Sequence, residues 1–203
     1  MNNTYTQQYY KTNNYKDYLL KKDRYLKLAI ELNDFFDKIN ILRDKDSKIL
    51  DYGCAVGFLL DGIKSIGYID TNGYDISEWA ISQVNKSHNI IDINKRQKFD
   101  IIFFLDVLEH MTDEQIKEVF DKIKSNILVV RIPCCAENED DFFLEISRMD
   151  ETHINRKTKK EWVDFFNKNG YKNFIKLNLN NIYDSTGVFC AIFFNNNFYK
   201  KYV

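Results

Sequence analysis

Between Lys48 and Pro133 the chain alternates short apolar runs with segments of helical periodicity: KILDYG, GFLLDGIKSIG, IDTNGYDI, SEWAISQVNKS, NIIDI, KFDIIFFLDVL, TDEQIKEVFDKI and SNILVVRIP. Neighbouring parallel strands can be joined only by a crossover, so this alternation predicts βαβ units and an α/β sheet with helices on both faces. DIIFFL and ILVV, apolar without interruption, are expected as its central strands. The rhythm then changes. A helical TKKEWVDFFNKNGY is followed by NFIKLNLN, a turn NIYDSTG and VFCAIFFN, which predicts a closing antiparallel hairpin. Ahead of the first strand, Tyr18, Tyr25, Ala29, Leu32, Phe36 and Ile39 recur at spacings of three, four and seven, predicting an amphipathic helix from Asn14 to about Asn40.

One proline and seven glycines leave no room for a Pro- or Gly-rich linker. Residues 1–203 are therefore expected as a single domain, an N-terminal helical cap over 1–45 and a core over 46–203. With 29 basic against 30 acidic residues, the chain lacks the electrostatic footprint of a dedicated nucleic-acid binder. The cluster Arg156, Lys157, Lys159 and Lys160 reads as a solvated helix start. Cys54, Cys134, Cys135 and Cys190 have no zinc spacing, and adjacent Cys134 and Cys135 do not suit an ordinary bridge, which favours a reducing compartment. The N-terminal MNNTYTQQYYK has no apolar signal region, and no run approaches the roughly 18 apolar residues of a membrane span. A cytoplasmic location, monomeric or homodimeric, is expected.

KILDYGCAVGFLL then asks which ligand wants a backbone bent that way. In open α/β sheets ligands bind beyond the carboxyl ends of strands, where the chain turns into a helix. A dinucleotide fingerprint counted from Gly53 would require a small residue where Phe58 stands, and no G-x-x-x-x-G-K-[ST] run exists. Asp51, two residues before Gly53, would repel a pyrophosphate but suits a cationic ligand.

LDYGCAVG resembles the first motif of the class I S-adenosylmethionine-dependent methyltransferases, D/E-x-G-x-G-x-G, with Ala55 in place of the middle glycine. GYDIS, NIIDI and KFDIIFFLDVLEHM follow in that family's order. The resemblance covers roughly residues 48 to 195. It implies a Rossmann-like, seven-stranded, mostly parallel sheet and S-adenosyl-L-methionine as cofactor. It assigns Asp51, Gly53, Cys54, Ala55 and Gly57 to the cofactor loop, Asp75 to the ribose diol, with Ile76 beside it, and Asp92 to the adenine amino group. Leu105 and Tyr10 complete the cofactor set, Tyr9, Tyr10 or Tyr15 being cation–π candidates for the sulfonium against simple packing. Asp75 as a helix-start residue, Asp92 as a loop carboxylate and Asp100 as a structural residue are the bland alternatives.

The resemblance implies a small-molecule acceptor, a sugar, quinone-like ring or secondary metabolite, methylated on oxygen or nitrogen. An acceptor that starts as a poor nucleophile needs a base. His88 is expected at the surface. His110, in DVLEH, is a candidate helix-start or substrate residue, and His153, in DETHIN, is the candidate base, facing the sulfonium methyl; Asp106 joins them as a catalytic candidate. No metal is assigned. The alternative groups Asp106, Glu109, His110 and His153 as divalent-cation ligands, because related enzymes acting on catechols, quinone precursors or RNA ends use E-x-x-E-H plus a later His. A non-catalytic S-adenosylmethionine-binding or partner-binding domain is the opposing class. Cytosine C5 chemistry is excluded by the absence of Pro-Cys after the fourth strand, and DNA amino methylation by the absence of an N/D-P-P-Y motif. The acidic AENEDDFFLEISRMDETH is expected as a connection over the acceptor.

Overall fold

The computed structural model describes residues 5–12, 15, 17–41 and 44–196. Its strands are β1 (Ile49–Tyr52), β2 (Thr71–Tyr74), β3 (Asn89–Ile90), β4 (Gln97–Leu105), β5 (Ile123–Pro133), β6 (Asn173–Lys176) and β7 (Val188–Phe194). They form a seven-stranded sheet in the order β3-β2-β1-β4-β5-β7-β6. The helices are α1 (Lys22–Lys38), α2 (Phe58–Ser65), α3 (Glu78–Gln83), α4 (Asp113–Lys122), α5 (Glu145–Arg148) and α6 (Lys159–Lys168). The chain divides into two compact units, Met1–Asp92 with Leu179–Asn181, and Ile93–Asn178 with Ile182–Val203.

In the first unit β1, β2 and β3 are parallel, Ile49 lying opposite Thr71 and Asn72 opposite Asn89. All four residues of β1 are buried. Helix α1 begins at Lys22, later than its heptad-like spacing predicts, and Tyr18–Leu20 forms a separate 3-10 turn. The expected start at Asn14 lies outside the described residues. Leu28, Ala29, Leu32 and Phe36 make the buried face of α1. Gly62 of α2 allows the two helices to touch: a Cβ there would stand 2.9 Å from the Tyr25 carbonyl oxygen and 3.0 Å from the Ala29 Cβ. Glu31 on α1 accepts hydrogen bonds from the backbone and side chain of Asn181, which ties 179–181 to this unit.

In the second unit β4 and β5 are parallel, β7 runs antiparallel to β5, and β6 antiparallel to β7. All seven residues of β7 are buried, and Phe99, Phe103, Phe104, Trp162, Phe166, Phe189 and Phe193 are fully enclosed. The closing hairpin is as the sequence predicts. Both long helices here start on capping boxes, in which a threonine hydroxyl and the side chain three residues on satisfy each other's orphan N–H groups: Thr112 with Gln115, and Thr158 with Glu161. The basic cluster at the start of α6 is engaged in pairs, Arg156 with Asp141, Lys157 with Asp113 and Lys159 with Asp184. All four cysteines are buried free thiols.

Candidate active site

In the first unit the chain leaves β1 through a loop with positive φ at every second residue: Gly53 at 85°, Ala55 at 47° and Gly57 at 84°. Glycine meets this at no steric cost, whereas Ala55 in the left-handed region costs roughly 1–2 kcal/mol. What holds Ala55 there is Asp75. Its Oδ2 accepts from the Ala55 N–H at 2.8 Å and its Oδ1 from the Ser77 N–H at 2.8 Å, while the Tyr74 carbonyl accepts from Gly53 and Cys54 at 2.7 and 2.9 Å. Asp75 thus clamps the loop at the end of β2 to the loop at the end of β1. Ser77, two residues after Asp75, is the N-cap of α3 and accepts from Ala80 N–H. Burial pushes the Asp75 carboxyl up, against its backbone donors Ser77, Ala55 and Ile76.

Asp51 is 4% exposed, and burial followed by the charge of Asp75 pushes its carboxyl up to about 7. Cys54 is buried and its thiol is pushed up in turn. Ile76, by contrast, is 70% exposed, and Asp92 is an exposed residue after β3. The N-terminal tyrosines lie on the loop: Tyr10 and Tyr18 share a buried cluster with Ala55, Val56 and Ala80, bordered by Tyr9, Tyr15, Tyr25, Phe58 and Trp79. The Tyr10 ring centroid is 5.1 Å from that of Trp79, and Tyr18 stacks on Phe58 at 5.7 Å.

His88 corrects its expectation. It is buried, 6% exposed, its Nδ1 2.7 Å from Thr71 Oγ1 and its Nε2 3.0 Å from Asp61 Oδ1, with Lys22 pairing to Asp61 at 2.8 Å. Short side chains on β2 and α2 create this polar site, which spacing along the chain does not reveal.

In the second unit Leu105 ends β4 half-buried, opposite Arg131 of β5. Asp106 follows at φ 57°, its N–H donating to the Arg131 carbonyl at 2.8 Å and its Oδ2 accepting from the Arg131 guanidinium. Arg131 went unnoticed in the sequence, although a cation inside ILVVRIP is itself the signal. Glu109 is fully buried and its carboxyl is held well above the ordinary carboxylate range, first by desolvation and then by Asp106. Both Glu109 oxygens, Asp106 Oδ1 and His153 Nδ1 are buried with no hydrogen-bond partner.

The backbone carbonyl of Glu109 accepts from the N–H groups of both Ile154 and Asn155, which brings His153 to His110 across 43 residues of chain. The two rings meet edge to face at 4.6 Å, and Phe142 lies 5.2 Å from His153. Burial, then His153, pushes His110 down to about 4, and burial pushes His153 down, so both are neutral at pH 7. One ligand atom from each of Glu109, His110 and His153 lies within 4.8 Å of the others. The tetrad weighed from the sequence therefore resolves into this triad, with Asp106 engaged on Arg131. Two neutral imidazoles and a carboxylate are a donor set for a first-row divalent cation.

A family model described as a methyltransferase domain matches residues 20–174. Similar solved structures include an S-adenosylmethionine-dependent methyltransferase from Archaeoglobus fulgidus, with 15% identity, a TM-score of 0.60, and coverage of 88% of this chain and 99% of that one. The plantazolicin methyltransferase BpumL, solved with a pentazolic desmethylPZN analog and S-adenosylhomocysteine, has 17% identity and a TM-score of 0.59, covering 90% and 88%. Magnesium protoporphyrin IX methyltransferase from Synechocystis PCC 6803, solved with S-adenosylhomocysteine, has 14% identity and a TM-score of 0.56, covering 85% and 84%. No curated protein sequence matches the chain. The fold is the Rossmann-like class I methyltransferase fold, and the chain belongs to the methyltransferase domain family.

Proposed function

We propose that this methyltransferase, whose cofactor is S-adenosyl-L-methionine, methylates an oxygen or nitrogen of a small-molecule acceptor. The observation that supports the cofactor side is the clamp between Asp75 and the loop through Ala55. Each oxygen of the Asp75 carboxylate accepts at least one backbone N–H, and the lone pairs that remain suit a ribose diol. Exposed Ile76 offers an apolar face to a purine, and Asp92 an acceptor for its amino group. Asp51 balances the ligand's positive charge, and Tyr10 packs where the loop opens. When bound, the cofactor supplies a methyl carbon activated by a sulfonium. The chain's own contribution is to hold the acceptor in line, worth up to about 7–11 kcal/mol in favourable cases. Neutral His153 then takes or orients the acceptor proton. A screen of sugars, phenols and amines with labelled methyl donor tests this; failure of every acceptor while calorimetry still shows cofactor binding would favour a binding domain.

A second reading has its own support. Buried and without hydrogen-bond partners, the Glu109 oxygens have no task in base chemistry, but they fit a divalent cation held with His110 and His153. Such a cation would polarise the acceptor oxygen and lower its pKa. Chelation that abolishes turnover, with restoration by Mn2+ or Co2+, would establish it. Retained turnover would leave His153 as base. An RNA 3′ end belongs among the acceptors screened.

A further inference from the structure

Behind the two histidines of the triad stands one carboxylate. Asp150 Oδ1 accepts from the Thr152 N–H at 3.0 Å and from the Thr152 hydroxyl at 2.5 Å. A hydroxyl has a single proton, and here it is committed to Asp150. Toward His110 Nδ1, 2.9 Å away, Thr152 Oγ1 can then only accept. The Thr152 carbonyl, 3.2 Å from the same nitrogen, is also an acceptor. Two acceptors at His110 Nδ1 favour the ring proton there, and in a neutral imidazole Nε2, which lies 3.9 Å from Glu109 Oε1, is then the unprotonated nitrogen. The second oxygen of the same carboxylate, Asp150 Oδ2, stands 3.6 Å from His153 Nε2. That is too long for a hydrogen bond, but a carboxylate facing Nε2 favours the proton on that side and leaves it off the buried, unpartnered Nδ1.

We infer that Asp150 is a positioning residue that sets His110 and His153 in opposite tautomers, Nδ1–H and Nε2–H, so that each presents an unprotonated nitrogen to the site of Glu109. Thr152 transmits the setting to His110, whereas His153 receives it directly. The inference rests on the cation reading for its purpose, since a cation needs lone pairs from both rings at once, but not for its evidence. Histidine ligands whose far nitrogen is fixed by a carboxylate or carbonyl are oriented before the ion arrives.

The chain has only three histidines, so the test is direct. Long-range 1H–15N correlation on metal-free, 15N-histidine protein at pH 7.5 should show His110 as Nδ1–H and His153 as Nε2–H. Asp150→Ala should release both rings into mixed tautomers. Thr152→Val should lower the Nδ1–H population of His110 alone, to what the Thr152 carbonyl still holds, and Thr152→Ser should restore it, which keeps the test intact if Asp150→Ala fails to fold. Mn2+ affinity, read by electron paramagnetic resonance, should fall roughly 10–100-fold in Asp150→Ala. His110 found as Nε2–H in the wild type, or tautomers unmoved by both Asp150→Ala and Thr152→Val, would overturn the inference. Opposite tautomers in a wild type that binds no Mn2+ would uphold the tautomer assignment and overturn the cation reading.

Discussion

Asp75 and Glu109 are both acidic residues beyond strand ends, and both are drawn out of water, yet their surroundings differ in kind. Asp75 has a backbone N–H on each oxygen and shapes the loop it touches. Glu109 has none on either, and a buried group left unpaired costs about 1–3 kcal/mol. A satisfied carboxylate is part of the scaffold and offers a ligand only its spare lone pairs. An unsatisfied one is a cost that the fold carries until something binds it. The two ends of the chemistry should therefore respond to mutation in opposite senses.

The largest expected effect is on turnover. His153→Gln should lower it by roughly 10²–10⁴-fold with cofactor affinity nearly unchanged. Glu109→Gln should match that loss if a cation is held and fall well short of it if His153 acts alone, a difference that steady-state kinetics with and without chelator resolves.

Asp51 should appear as a dependence of stability on pH. Its folded carboxyl keeps a proton up to about pH 7, while the unfolded one loses it near 3.8. Between those values the folded state binds the extra proton, so the ligand-free protein loses stability as pH rises, by on the order of 4 kcal/mol in all. Asp51→Asn should flatten this slope in urea titrations at pH 4.5 and 7.5. A cationic ligand beside Asp51 should displace that proton, so calorimetry in buffers of different ionisation heat should register proton release below pH 7.

Asp75→Ala should weaken cofactor binding by roughly 1.5–3 kcal/mol, the range for hydrogen bonds to a charged group. It should also lower the melting temperature of the ligand-free protein, because Ala55 loses the acceptor that keeps it left-handed. Glu109→Leu should do the reverse, raising stability by about 1 kcal/mol, and ending activity if a cation is held, since it replaces an orphaned carboxyl with apolar volume. Thermal melts of the two variants side by side would break the comparison if both fell.

Much of the loop that the candidate cofactor site uses could be read from the chain because it is local. Gly53, Ala55 and Gly57 carry their backbone demand in their own identity, and Asp75 follows at the distance one crossover requires. The acceptor side could be read only as candidates. His110 and His153 meet because Ile154 and Asn155 dock on the Glu109 carbonyl, and Asp106 turns to Arg131 because β4 and β5 align Leu105 with Arg131. Such pairings are decided by strand register and loop docking, and neither leaves a period in the sequence. Asp150 and Thr152 escaped notice for the same reason, as did the burial of His88 against Asp61 and Thr71. The late start of α1 is a different kind of miss: Tyr18 keeps helical spacing with Tyr25, but it sits on its own 3-10 turn within the tyrosine cluster.

That cluster also gives the protein an optical signal of its own. The chain has two indoles, Trp79 at the edge of the tyrosine cluster and Trp162 fully enclosed in α6. Trp79 lies four residues beyond Asp75, next to the Tyr10 ring, half-buried where a purine on Ile76 would alter its surroundings. Trp162, in the other unit, is shielded from solvent, with Lys157 5.4 Å above its ring. Excitation at the red edge of the indole band should thus yield two emitters, one quenchable by acrylamide and sensitive to ligand, the other a silent internal standard. Trp79→Phe should leave only the standard.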